Sequence, residues 1–260
     1  MAQRGRTERQ PETHAGAEYL DLSRRPLHVL VFLLPLLIAY ELGAIVYLSS
    51  ADEHAAATIA ARRMLAAFFD TFGVVGLHLP AAALVTVLVL WHVLERDRWI
   101  IRPPVLLGMA LEACIWTVPL ALMAVLLVGS GDGPKPPPAA ASLAQNIYEL
   151  PWQARLTISA GAGIYEELLF RMIGIAAVHA LLADVMRVKE VIARVAAVAV
   201  TAVAFMVYHG VGAGSLPPEV SAFYLLSGVY FGTLFLIRGF GLAVAVHALY
   251  DTLALVGLGG

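Results

Sequence analysis

Seven stretches of this chain, near residues 27–49, 72–94, 104–129, 156–183, 191–209, 221–238 and 240–258, are apolar over lengths that can cross a bilayer. Backbone placed in hydrocarbon must satisfy its own N–H and C=O groups, so each stretch reads as a helix. The fold class expected is therefore all-α: a polytopic membrane helical bundle of about seven transmembrane helices. Composition agrees, since 60% of residues are hydrophobic and 14% are charged, well outside the usual range of soluble domains. A net charge of −2 gives no reason to expect a nucleic-acid partner. Cys114, the single cysteine, lies in an apolar stretch, so one chain cannot build a disulfide framework or a cysteine metal site.

The sequence divides into a polar N-terminal tail (1–26), expected to be mobile or interfacial, a three-span part (27–129), a Pro/Gly/Ala-rich linker (130–152) and a four-span core (153–260), together one domain. The connector 50–71 reads as an amphipathic interfacial helix or the start of a long second helix. The polar tail ahead of the first apolar stretch does not have the form of a cleavable signal, so that stretch is expected to stay as an anchor. With the N-terminus cytoplasmic, twelve of the 17 Lys and Arg residues fall on the cytoplasmic side, and the positive-inside rule favours that orientation. The expected location is the cell (inner) membrane, spanned several times. Small residues are dense in the core, at Ser159–Gly163, in the alanine-rich run 196–204 and in Gly228-x-x-x-Gly232, which points to close helix packing within the chain ahead of dimerisation.

Against that apolar background, Glu166, Glu167 and Arg171 stand inside one span. A charge at the centre of a lipid-facing helix costs on the order of 2.5–3.5 kcal/mol, so such residues normally face a bundle interior or a watery cavity. Glu167 and Arg171 are spaced i, i+4 and can pair on one face, which leaves Glu166 about 100° away and free to act. His209 closes the fifth span, four residues after Phe205, and the seventh carries His247 and Asp251 on one face. At about 1.5 Å of rise per residue, Glu166, His209, His247 and Asp251 can reach one cavity in the outer half of the membrane. A carboxylate with a histidine can deprotonate and orient water, and further donors can stabilise a developing oxyanion. His28, His78, His92 and His179 read as structural residues, and Glu41 and Glu112 as carboxyls protonated or paired within the bundle.

Three motifs, Glu-Glu-x-x-x-Arg, Phe-x-x-x-His and His-x-x-x-Asp, follow one another on consecutive apolar segments. Together they resemble the CPBP family of CAAX proteases and bacteriocin-processing enzymes, also called Abi or Rce1-like intramembrane proteases, over about residues 155–255. The resemblance implies that Glu166 is the general base, working with His209 on the attacking water, and that His247 and Asp251 stabilise the oxyanion. Glu167, Arg171 and Phe205 are the supporting motif residues. The family's last motif often ends in asparagine, so Asp251 must either donate as a protonated acid or accept from His247 and orient it. The family's name also implies a metalloprotease, and Glu166, His209 and His247 could supply three zinc ligands with an open position. Their spacing lacks the zincin-type His-Glu-x-x-His, and the residues fit a mechanism with no required cofactor equally well. The reading leans to the metal-free form, with zinc as the alternative.

The function expected is an intramembrane endopeptidase cutting a peptide bond near the membrane surface, in the C-terminal region of a lipidated (CAAX-type) or hydrophobic membrane-anchored protein or peptide. Membrane lipid is the other expected partner. A chain rich in alanine and arginine points to a bacterial or archaeal source, where a membrane-anchored sorting tail or a secreted peptide is a more natural substrate than a prenylated one. The rivals are a proton-coupled transporter or channel, against which the lack of internal repeats and paired broken helices counts, and a non-catalytic immunity or scaffold protein of the same family.

Overall fold

A computed structural model describes residues 12–48, 64–65, 67, 70, 78–129, 147–210 and 216–257. It is helical, with no strand among the described residues. A polar helix α1 (Glu12–Leu22) precedes α2 (Pro26–Leu48), α3 (Leu79–Leu94), α4 (Pro103–Val128), α5 (Trp152–Val185), α6 (Glu190–Gly210), α7 (Pro218–Arg238) and α8 (Phe240–Gly257). Prolines open α2, α3, α4 and α7, where the missing N–H would have had no partner within the helix. Gly239, with φ 85°, makes the break between α7 and α8 that a residue with a side chain would resist.

The chain is thus a polytopic helical bundle, in which, among the described residues, six helices, α2 and α4 to α8, are long and apolar enough to cross a membrane. The remaining expected span corresponds to α3, which has 16 residues, about 24 Å of helix. The start of that stretch, 72–77, lies outside the described residues, as do 130–146 of the linker and most of the connector 50–71.

Where the tail is described, α1 is docked on the bundle. The Tyr19 hydroxyl donates to Glu112 of α4 at 2.5 Å, and Arg238 of α7 donates to both Glu112 carboxylate oxygens at 2.5 and 2.7 Å and to Ser23 at 3.0 Å. Burial, reinforced by Glu112, pushes the Tyr19 hydroxyl up to about 12. Glu112 is therefore a paired structural carboxylate. Its partners at the start of the bundle explain how a charge on an apolar helix is accommodated.

Backbones approach most closely where the small residues predict. A Cβ on Gly163 of α5 would lie 2.8 Å from both the backbone N and the Cβ of Ala248 in α8, and one on Gly228 of α7 would lie 2.7 Å from Cα of Ala202 in α6. Gly232 likewise faces Val198 of α6, so this motif packs within the chain. On α4, Leu107, Leu111, Ile115, Val118 and Leu122 form an exposed stripe at helical spacing, as expected of a face turned to lipid.

The bundle has two distinguishable ends. Pro26, Glu95 and Gly239 border one cleft at what is here the tail end, whereas Val46, Tyr47, Trp152 and Thr252 border another at the linker end.

Candidate active site

In α5 the regular α-helix ends at Glu167 and a π-helical segment, Leu168–Ile175, follows at once. Such wide turns occur mostly as short interruptions, frequently at functional sites. Here the change of winding falls between the two glutamates and Arg171. Glu166, Glu167, Arg171 and His247 are all buried, at 4%, 0%, 1% and 4% exposure.

Glu166, His209, His247 and Asp251 come together from three helices. Glu166 Oε2 lies 3.6 Å from His209 Nε2 and 3.7 Å from His247 Nε2, and His247 Nε2 lies 3.6 Å from Asp251 Oδ2. Glu166 Oε1 accepts the Tyr208 hydroxyl at 3.2 Å, whereas Oε2 is buried without a hydrogen bond. The side chains of His209 and Asp251 are about one-fifth exposed, so they form the open side of the cluster, with Glu166 and His247 behind them.

Both imidazoles have their orientation fixed from the rear. His209 Nδ1 is 2.9 Å from the carbonyl oxygen of Phe205, which can only accept, so Nδ1 carries the proton and Nε2 faces Glu166. His247 Nδ1 lies 2.8 Å from Glu167 Oε1, and its Nε2 likewise faces Glu166 and Asp251. Stacking holds the rings: Tyr224 lies 4.1 Å from His209 and Phe231 4.7 Å from His247, both pairs at 18°.

The Glu167–Arg171 pair forms, at 3.2 Å, but Glu167 has a second role that i, i+4 spacing does not reveal. It bridges Arg171 to His247, 80 positions away in the chain. Since Glu167 holds His247 by Nδ1, Asp251 lies beside Nε2, at 3.6 Å, and not behind the ring. The Arg171 guanidinium sits 4.4 Å from the Phe205 ring centre, with Phe231 and Phe170 at 5.3 and 5.8 Å. Phe205 thus supports the site by both its carbonyl and its ring.

Sequence reasoning missed Tyr208, Tyr224 and Phe231. Tyr208 had a signal in its position next to His209; the other two are aromatic residues on an apolar helix, indistinguishable in sequence from core. Glu41 stays outside the cluster, accepting the Tyr165 hydroxyl at 2.9 Å and pairing with His78. His28 receives the Arg102 backbone N–H, His179 pairs with Glu190, and His92 packs edge-on against Trp99, all as structural residues.

Residues 149–253 match the family described as Rce1-like, type II CAAX prenyl endopeptidase Rce1-like. This segment is an Rce1-like domain. It begins just before α5 and ends within α8, so it contains the entire cluster, while α1 to α4 lie outside it. No curated protein and no solved structure matches the chain. The Rce1-like family is one of proteases, which makes the domain that of an intramembrane protease with a peptide substrate. Glu166, His209 and His247 are the residue types that take zinc. As they are placed, however, no group of three or more His, Cys, Asp or Glu side chains among the described residues is arranged to hold a metal ion.

Proposed function

We propose that the Rce1-like domain hydrolyses a peptide bond near the membrane surface, in the C-terminal region of a lipidated (CAAX-type) or hydrophobic membrane-anchored substrate, by water activated on Glu166 and His209. The observation that carries this reading is Glu166 Oε2: a buried carboxylate oxygen without a hydrogen bond, facing Nε2 of His209 and of His247. Buried polar atoms are nearly always paired, so an orphan among reactive groups indicates a place for a reacting molecule.

A water taken up beside Oε2 and His209 Nε2 gives a proton to Glu166 as its oxygen attacks the scissile carbonyl carbon. The carbonyl π electrons move to oxygen, and this oxyanion receives the Nε2–H of His247 in its imidazolium form, held from behind by Glu167. Asp251, on the open side, donates to the same oxyanion in its protonated form. Collapse of the tetrahedral intermediate breaks the C–N bond, and Glu166 passes its proton to the departing amine.

An apolar cleft of about 470 Å³ between α2 and α5 favours a substrate with an apolar or lipid-bearing segment. It is bordered by Leu36, Leu42, Val46, Trp152 and Leu156 and reaches Thr252, the residue after Asp251. The test is cleavage by the purified chain, in nanodiscs, of quenched peptides that differ only in an apolar or lipidated C-terminal segment, with products read by mass spectrometry. Cleavage adjacent to that segment is expected; hydrolysis indifferent to it, or none, overturns the proposal. Elemental analysis of active protein after chelation, where no stoichiometric zinc is expected, tests the metal-free mechanism separately.

A further inference from the structure

A cavity of about 800 Å³ lies at the tail end and plays no part in the chemistry above. Its floor is apolar, made by Val29, Leu88, Met172, Phe235 and Phe240 from α2, α3, α5, α7 and α8. Its rim is charged, with Asp21, Arg24, Arg25, Glu95 and Asp97, and lies where α2 and α8 begin and α3 and α7 end. An apolar pocket with a charged mouth at the end of a membrane bundle is complementary to an amphiphile that enters tail first.

The rim charges decide which amphiphile. Arg25 is already committed, bonding Asp97 at 2.5 and 2.6 Å and Asp21 at 2.6 Å, so that this cluster keeps a net charge of −1 and has no cation to spare. Arg24 has no side-chain hydrogen bond or ion pair among the described residues, while Glu95 accepts the Trp91 indole N–H at 2.7 Å and no cation. The five rim side chains sum to −1, which does not favour a headgroup that is itself net negative. One uncommitted cation and one unpaired carboxylate instead match a headgroup bearing both signs. A guanidinium recognises phosphate, and a carboxylate accepts the N–H donors of a primary ammonium.

We propose that this cleft binds a zwitterionic phospholipid of the adjacent leaflet, with an acyl chain on the Val29–Leu88–Met172–Phe235–Phe240 floor, its phosphate at Arg24 and a primary ammonium at Glu95. Phosphatidylethanolamine has this chemistry. Phosphatidylcholine lacks the N–H donors, and phosphatidylglycerol lacks the cation.

Native mass spectrometry of the full chain in detergent, titrated with each of the three lipids, tests this. Phosphatidylethanolamine should bind at least tenfold more tightly than either of the others. Arg24→Ala and Ala176→Phe, the latter filling the cleft from α5, should each weaken it about tenfold with unchanged helix content. Glu95→Lys, which takes the rim from −1 to +1, should shift the preference to phosphatidylglycerol. Equal or tighter phosphatidylglycerol binding by the unaltered chain overturns the charge argument. Phosphatidylethanolamine binding undiminished in Ala176→Phe overturns the assignment to this cavity.

Discussion

Replacing Glu167 by Gln tests the part of the site that sequence spacing could not supply. Glu167 is fully buried and is the anionic partner of both Arg171, at 3.2 Å, and His247, at 2.8 Å. Removing one member of a buried ion pair costs about 3–5 kcal/mol, because the other charge is left uncompensated. The Arg171 guanidinium has no hydrogen bond among the described residues, and aromatic rings surround it. A desolvated cation–π contact contributes about 2 kcal/mol, which keeps the loss near the lower end of that range. The bond to His247 also loses its anionic acceptor, a further loss of about 1 kcal/mol. Glu167→Gln should therefore destabilise the bundle by about 3–4 kcal/mol in denaturant titration in micelles. Activity at a permissive temperature should fall by on the order of 10², the scale of a lost oxyanion donor. Adding Arg171→Met removes the stranded charge, so the double variant should recover most of the stability and little of the activity. A single-variant cost below about 1 kcal/mol refutes the ion-pair reasoning. Recovery of activity along with stability refutes the link from Glu167 to His247.

Three further outcomes are expected. Gly163→Ala should cost about 1–3 kcal/mol in the same titration and lower activity, since its methyl would meet the Ala248 backbone and force apart the two helices that carry Glu166 and His247. At residue 251, Asn should retain cleavage and Ala should lose it, because the role assigned is donation to the oxyanion; equal loss in both contradicts that role. At the tail end, desolvation opposes ionisation of Asp97, but the Arg25 hydrogen bond outweighs it and holds the carboxyl below its usual 3.8. The resulting stability is fully present above pH 3.8 and is lost as pH falls through the lower folded value. The melting temperature of Asp97→Asn should therefore change less than that of the unaltered chain on acidification below pH 3.8.

What the sequence revealed follows from how locally each feature is determined. Apolar length determines spans, because hydrocarbon leaves backbone no other partner. The Glu167–Arg171 pair was legible because both residues lie one helical turn apart, and Glu166, His209, His247 and Asp251 because charge in an apolar helix demands a reason. The bridge from Glu167 to His247 and the stacking of Tyr224 on His209 depend on how helices meet, which periodicity within one helix does not encode. The π-helical turns of α5 had no composition signal, and a tail rich in charge did not announce that Tyr19 would reach Glu112. The tail-end cavity was invisible for the same reason, since the residues lining it come from six helices.

The most direct test of the central claim is the cleavage rate of Glu166→Gln in nanodiscs, compared with the unaltered chain at equal thermal stability. Gln preserves the shape and the Tyr208 contact but cannot take a proton from water. A fall of on the order of 10²–10⁴, the contribution of a general base, is the result predicted. Undiminished cleavage would contradict the account.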